Sequence, residues 1–256
     1  MHTKQLFDLT DKVAIVTGAS KGIGKAIAEA FAEFGAKVVV SSRSQEAVDE
    51  VAESISKQGG TAIGIACHVG KEEDRKKLVE KTIAKFGGVD ILVNNAATNP
   101  VFAPIETMSS EVFDKIMDIN VKACFDFAKL CFPSMKERKA GSIINIASVE
   151  GMKPSNGLGL YSVSKAALIM LTQSQASEWG KFNIRSNAIC PGLIKTKFSQ
   201  ALWSNDALMQ QVKNHLPMRR AAEATEISGL AVYLASAAGS YTTGAVLNAD
   251  GGHMLT

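Results

Sequence analysis

Val13-Ala14-Ile15-Val16-Thr17-Gly18-Ala19-Ser20-Lys21-Gly22-Ile23-Gly24 joins a short apolar run to a glycine-rich turn and the start of a helix. The run at 13–16 is continuously apolar and bounded by Lys12 and Gly18, as expected of a parallel strand covered on both faces. From Gly22 the apolar residues Ile23, Ile27, Ala30, Phe31 and Phe34 recur at helical spacing and stop at Gly35. A tight strand-to-helix turn of this kind aims backbone N–H groups and the positive end of a helix at one point, which suits a phosphate. Any tight turn uses glycine, so the triplet alone is weak; between a buried strand and an amphipathic helix it points to a dinucleotide pyrophosphate.

The alternation continues outward from this unit. Strands are expected at 37–40, 61–69, 89–93, 142–147, 184–189 and 245–248, and helices at 44–57, 72–86, about 110–119 and 161–179. Strands separated by helices with short connections predict an α/β, doubly wound (Rossmann) fold: a mainly parallel seven-stranded sheet with helices on both faces. No repeat or linker divides the chain, so one domain is expected over 1–256. The stretch 193–220 fits the rhythm least. It follows the carboxyl end of a strand, where open α/β sheets bind ligands, and is expected to be a substrate lid.

Composition narrows the function. The 256 residues carry 28 Lys plus Arg against 25 Asp plus Glu, so no strong field favours nucleic acid or an anionic membrane. No apolar run is long enough to span a bilayer, and 1–9 lacks the apolar stretch of a secretory signal. Cys67, Cys124, Cys131 and Cys190 sit singly in apolar stretches, which predicts buried thiols in a reducing, cytoplasmic setting. His2, His68, His215 and His253 are equally scattered, and no metal site is expected.

Two features carry chemistry. After Val38-Val39-Val40 comes Ser41-Ser42-Arg43, with no carboxylate to bind a ribose diol. Arg43 can instead fork onto a phosphate and Lys21 adds a second cation, so NADP(H) is expected in preference to NAD(H). Tyr161 and Lys165, four apart, share a helix face, where an ammonium favours the phenolate. Ser148, at the end of a strand, can reach the same crevice and donate to a carbonyl oxygen as charge develops.

The spacing T-G-x-x-x-G-x-G, and Ser148 thirteen residues before Tyr161, resemble the short-chain dehydrogenase/reductase (SDR) family over nearly the whole chain, 12–252. Asp118-Ile119-Asn120-Val121 supplies the asparagine that in this family holds a water in a proton relay to the lysine. The resemblance implies a catalytic set of Asn120, Ser148, Tyr161 and Lys165. It places cofactor contacts at Gly18, Ser20, Lys21, Gly22, Ile23 and Gly24, at Ser42 and Arg43, and at His68 and Val69. Further contacts fall at Asn95, Ala96 and Ala97, at Asn120, Tyr161 and Lys165, and at Pro191, Gly192, Ile194 and Thr196. Two departures stand out: Ala97 replaces a glycine of N-N-A-G, and His68 replaces the usual aspartate that meets adenine.

With Ser41-Ser42-Arg43, Cys67-His68-Val69-Gly70 and Pro191-Gly192-Leu193-Ile194-Lys195-Thr196, the chain is similar to the NADPH-dependent carbonyl and retinal reductases. The expected reaction is hydride transfer between NADP(H) and a carbonyl/secondary alcohol pair. The alternatives are a 3-oxoacyl-acyl-carrier-protein reductase, for which Lys136, Arg138 and Lys139 offer a weak docking patch, and a non-catalytic NADP(H)-binding scaffold or sensor. Thr98, Asn99, Glu150, Met152, Leu158, Leu193, Phe198 and Trp203 are candidates for a mainly apolar substrate pocket. Family resemblance also implies a homotetramer built through the Tyr-Lys helix (166–171) and the last strand (245–247).

Overall fold

The computed structural model describes residues 2–256, so Met1 of the leading segment lies outside the described residues. Seven strands form one sheet in the order β3-β2-β1-β4-β5-β6-β7, with every neighbouring pair parallel. They are β1 (Val13–Thr17), β2 (Lys37–Ser42), β3 (Thr61–Ala66), β4 (Ile91–Asn94), β5 (Gly141–Ile146), β6 (Ile184–Pro191) and β7 (Val246–Ala249). Alternate residues of one strand enter opposite cores. Ala14 and Val16 face α1 (Gly22–Glu33), α2 (Gln45–Lys57) and α9 (Thr225–Ala235), meeting Ile27, Phe31, Val48 and Ala231. Ile15, with Val39 and Leu92, faces α3 (Glu72–Phe86) and α5 (Ala123–Glu137), meeting Leu78, Phe127 and Cys131. The continuously apolar runs follow from this two-sided burial. Between α3 and α5 along the chain lies α4 (Ser110–Met117), and α6 (Gly159–Trp179) packs on β6.

The expected elements are present with shifted ends, and three differences matter. The third strand stops at Ala66 rather than 69, because Asp74 accepts the His68 N–H (3.0 Å) and Arg75 grips the Val69 carbonyl (2.6 Å). The helix expected to stop before Asn120 does not stop. It widens into a π-turn, Asp118–Lys122, and runs on as α5. Two helices, α5 and α9, lie where the sequence pattern had assigned none.

Chain order reverses between β1 and β4, opening a crevice beyond the strands' carboxyl ends. One hydroxyl ties the two sides: Thr17 Oγ1 donates to the Val93 carbonyl (3.1 Å) and accepts the N–H groups of Asn95 (3.0 Å) and Ala96 (3.1 Å). Beyond β6 the chain makes an excursion whose base is clamped by Lys195 N–H to Ala222 O (2.8 Å) and Ala222 N–H to Leu193 O (3.0 Å). Its helices are α7 (Gln200–Trp203) and α8 (Asp206–His215). Among the described residues, no helix is long and apolar enough to cross a membrane.

Candidate active site

A single cleft of about 1940 Å³ runs along the carboxyl ends of the strands. At its centre is the glycine turn. Gly18 has φ +65°, and a methyl group there would stand 2.8 Å from Asn95 Nδ2; one on Gly24 would stand 2.6 Å from the Gly18 carbonyl. The Asn95 amide donates to the carbonyls of Thr17 (2.9 Å) and Gly18 (3.1 Å), so this side chain fixes the turn's shape. The first N–H groups of α1, which no helix can satisfy internally, are presented where a pyrophosphate would lie. This cradle, filled by any Cβ, fits a dinucleotide.

From the turn, the cleft passes Ser42 and Arg43 toward His68 and Val69, and in the other direction Ala96, Ala97, Pro191, Gly192, Ile194 and Thr196. Ser20, Lys21, Gly22 and Ile23 line its floor. Lys21 and Arg43 make no ion pair among the described residues. Two expected site residues lie behind the wall instead of on it. Gly24 packs under the turn, and Asn120 is fully buried.

Ser148, Tyr161 and Lys165 meet at the cleft. Ser148, just past β5, accepts the Glu150 N–H (3.1 Å), which leaves its own proton available to a neighbouring oxygen. Lys165 is buried on α6, donates to the Ile146 carbonyl (2.7 Å) and lies 5.5 Å from the centroid of the Tyr161 ring. Burial brings its ammonium down to about 8, opposed by the nearby Cys124 and Cys190 thiols. The Tyr161 phenol moves the other way. Burial raises it strongly, the hydrogen bond with Ser148 partly offsets this, and Glu150 and Cys190 add to the rise. Desolvation is thus the largest influence on the phenol, and it favours the protonated form.

Asn120 positions rather than contacts. Its Oδ1 accepts the Thr98 N–H (2.8 Å), and its Nδ2 donates to the Thr98 carbonyl (2.9 Å) and to Ser164 Oγ (3.0 Å). Ser164 in turn donates to the Tyr161 carbonyl (2.7 Å), so one amide binds the loop after β4 to the helix bearing Tyr161. With the side chain occupied, only the main-chain carbonyl is left for a water relay, and it accepts the Cys124 thiol at 3.4 Å.

On the substrate side, Thr98, Asn99, Glu150, Leu158, Leu193 and Phe198 line the cleft as expected. Met152 and Trp203 do not; the Trp203 indole N–H donates to the Thr196 carbonyl (2.8 Å) and pins α7. Sequence reasoning missed Phe102 and one face of α7 and α8: Leu202, Leu208, Val212 and His215. Their helical spacing was visible, but the direction of that face was not. All four cysteines are buried free thiols; burial lifts Cys67 and Cys131 to about 12 and Cys124 and Cys190 to about 11. Among the described residues no three His, Cys, Asp or Glu side chains gather as a metal site.

Comparison with known proteins agrees with this fold. Residues 18–254 match the family model described as enoyl-(acyl carrier protein) reductase. Dehydrogenase/reductase SDR family member 4 of Oryctolagus cuniculus is 45% identical over 95% of this chain and 94% of that protein. The Homo sapiens protein of the same name is 44% identical over 95% and 88%. A short-chain type dehydrogenase/reductase from Mycobacterium marinum superposes with TM-score 0.94 at 37% identity, covering 100% of both chains. A gluconate 5-dehydrogenase from Burkholderia cenocepacia, in complex with NADP and tartrate, gives 0.95 at 29% identity, again over 100% of both. The fold, the glycine turn and these relatives together establish that the chain belongs to the short-chain dehydrogenase/reductase family of oxidoreductases.

Proposed function

We propose that the chain is an NADP(H)-dependent carbonyl reductase, acting reversibly on ketone or aldehyde and alcohol pairs. One observation carries the cofactor choice. β2 ends at Ser42, followed by Arg43, without a carboxylate, and both Arg43 and Lys21 line the cleft with no ion-pair partner among the described residues. Two unneutralised cations favour a 2′-phosphate that an acid at this point would repel. The NADP in the Burkholderia relative supports the same choice.

The bound nicotinamide supplies the hydride. The protein's own residues manage the oxygen and its proton. Ser148 donates to the substrate oxygen as charge builds, and Tyr161, kept protonated by burial, delivers the proton. The Lys165 ammonium stabilises the phenolate left behind. Asn120 holds Tyr161's helix against the loop at Thr98 and offers the relay its carbonyl. Leu158, Leu193 and Phe198 with the inner face of 193–220 make a mainly apolar wall, so this segment is assigned as the lid over an apolar carbonyl compound.

Nothing in the patch suggested for a carrier protein favours that alternative. Arg138 is committed to Asp90 (2.9 and 3.1 Å), and Lys136 lies over the Phe182 ring at 4.8 Å. A homotetramer in a reducing, cytoplasmic setting completes the proposal, consistent with four free thiols. The test is steady-state turnover of a panel of apolar ketones, aldehydes and acetoacetyl thioesters with NADPH and with NADH. NADPH should be favoured at least tenfold, Arg43→Glu should reverse the preference, and simple carbonyls should exceed the thioesters. Equal use of both cofactors overturns the cofactor assignment, and no turnover despite NADPH binding returns the scaffold reading.

A further inference from the structure

The cleft wall beyond Arg43 is the turn Cys67-His68-Val69-Gly70 at the carboxyl end of β3. If the 2′-phosphate lies at Lys21 and Arg43, the base of the same nucleoside lies against this turn; the inference below rests on that reading. His68 Nδ1 accepts the Gly70 N–H at 3.2 Å, the hydrogen bond an aspartate carboxylate at this position would also accept. The turn is held independently of the ring: the His68 N–H goes to Asp74 (3.0 Å), the Lys71 N–H to the His68 carbonyl (2.8 Å), and Arg75 to the Val69 carbonyl (2.6 Å).

The polarity of what faces the base follows. A neutral imidazole whose Nδ1 accepts carries its proton on Nε2, and His68 lines the cleft. Aspartate would use one oxygen on the Gly70 N–H and offer the other as an acceptor, suited to the 6-amino group of adenine. Histidine does the same local work with Nδ1 and offers a donor. We infer that His68 reads the purine by donating from Nε2 to N7, an acceptor that adenine shares with its 6-oxo analogue, so that this site does not select for the adenine 6-amino group.

The test is the dissociation constant of NADPH against its reduced 6-oxo analogue, nicotinamide hypoxanthine dinucleotide phosphate, measured from the fluorescence of the reduced nicotinamide on binding. Wild type should favour adenine less than tenfold. His68→Asp, which restores an acceptor, should widen the adenine preference at least tenfold over wild type. His68→Asn, whose carbonyl can take the Gly70 N–H while its amide donates, should leave the ratio within threefold of wild type. With residue 68 on the N7 edge, the altered N1 of hypoxanthine lies away from it and weighs alike on all three proteins.

An unchanged ratio in His68→Asp overturns the inference. So does a wild-type preference of tenfold or more, which would mean that Asp114 or Asp118, which line the same cleft, reads the amino group. Circular dichroism identifies a variant that has not folded, and the wild-type ratio together with His68→Asn then decides. Failure of wild type to bind NADPH at all would instead remove the cofactor reading on which the inference stands.

Discussion

Tyr161 and Lys165 are displaced by the same burial in opposite directions, and the difference suits their proposed tasks. The phenol is held protonated, as a proton donor must be before it acts, while the ammonium is brought down to about 8, within reach of neutral pH. An amine whose folded value is lowered from 10.5 costs stability while it is charged. That cost is fully present below about pH 8 and fades as pH rises from about 8 to 10.5. Replacing Lys165 by Met should therefore abolish turnover yet stabilise the fold at pH 7, by up to about 3 kcal/mol, with the gain shrinking toward pH 10. Urea unfolding of both proteins at the two pH values checks the sign; a variant less stable than wild type at pH 7 would contradict it. Tyr161→Phe is the companion change. It should bind NADPH normally and lose roughly 10²–10⁴-fold in turnover, the usual range for a proton-transfer group. Reductive turnover in wild type should decline above about pH 8 as Lys165 loses its charge.

At the scale of elements, what the sequence reveals depends on whether the deciding interactions are local. The first strand, glycine turn and α1 are legible because a buried apolar run, a positive-φ glycine and a helical stripe are all properties of neighbouring residues. The continuation through Asn120 is not. Asp118 and Asn120 look like a helix stop, but the amide is spent on Thr98 and Ser164, 22 and 44 residues away. The spacing of Cys124, Phe127, Cys131 and Met135 marks α5 once the π-turn is granted. The end of β3 is another case, set by Asp74 and Arg75 on the following helix. Arg75 is buried, pairs with Asp126 of α5 at 2.5 Å and holds the Val69 carbonyl, so it joins two helices and the wall of the base pocket. Arg75→Met should destabilise the fold by about 2–4 kcal/mol, somewhat below a fully buried pair because Asp126 keeps some exposure to water. It should also weaken NADPH binding about 3–10-fold as the turn loosens, about one neutral hydrogen bond's worth. Urea melts and cofactor titration read the two effects separately, and a change below 0.5 kcal/mol, roughly the scale of a surface substitution, would show that the pair is dispensable.

For the whole molecule, the surfaces left uncovered bear on assembly. The sheet ends at β7, whose outer edge is unpaired, and Tyr241 on the preceding loop is fully exposed. An open edge of this kind is normally covered or paired. Along α6, Val163, Ala166 and Met170 stand at i, i+3 and i+7 on one face, and all three are exposed, Met170 by 61%. Phe113 on α4 and Phe125 on α5 add large exposed apolar side chains on neighbouring elements. Apolar surface in this quantity on the helix that carries Tyr161 is where a second copy of the chain would pack in the proposed tetramer. Lys165 and Ser164 lie on the buried side of the same helix, so a charge placed on the outer face should act on assembly before it acts on chemistry. Met170→Glu should lower the mass found by light scattering from that of four chains to that of two or one, with circular dichroism unchanged. Any loss of turnover should follow the loss of assembly as the protein is diluted. A wild-type protein that scatters as a single chain would overturn the tetramer, and a tetrameric Met170→Glu would move the interface off α6 and toward β7.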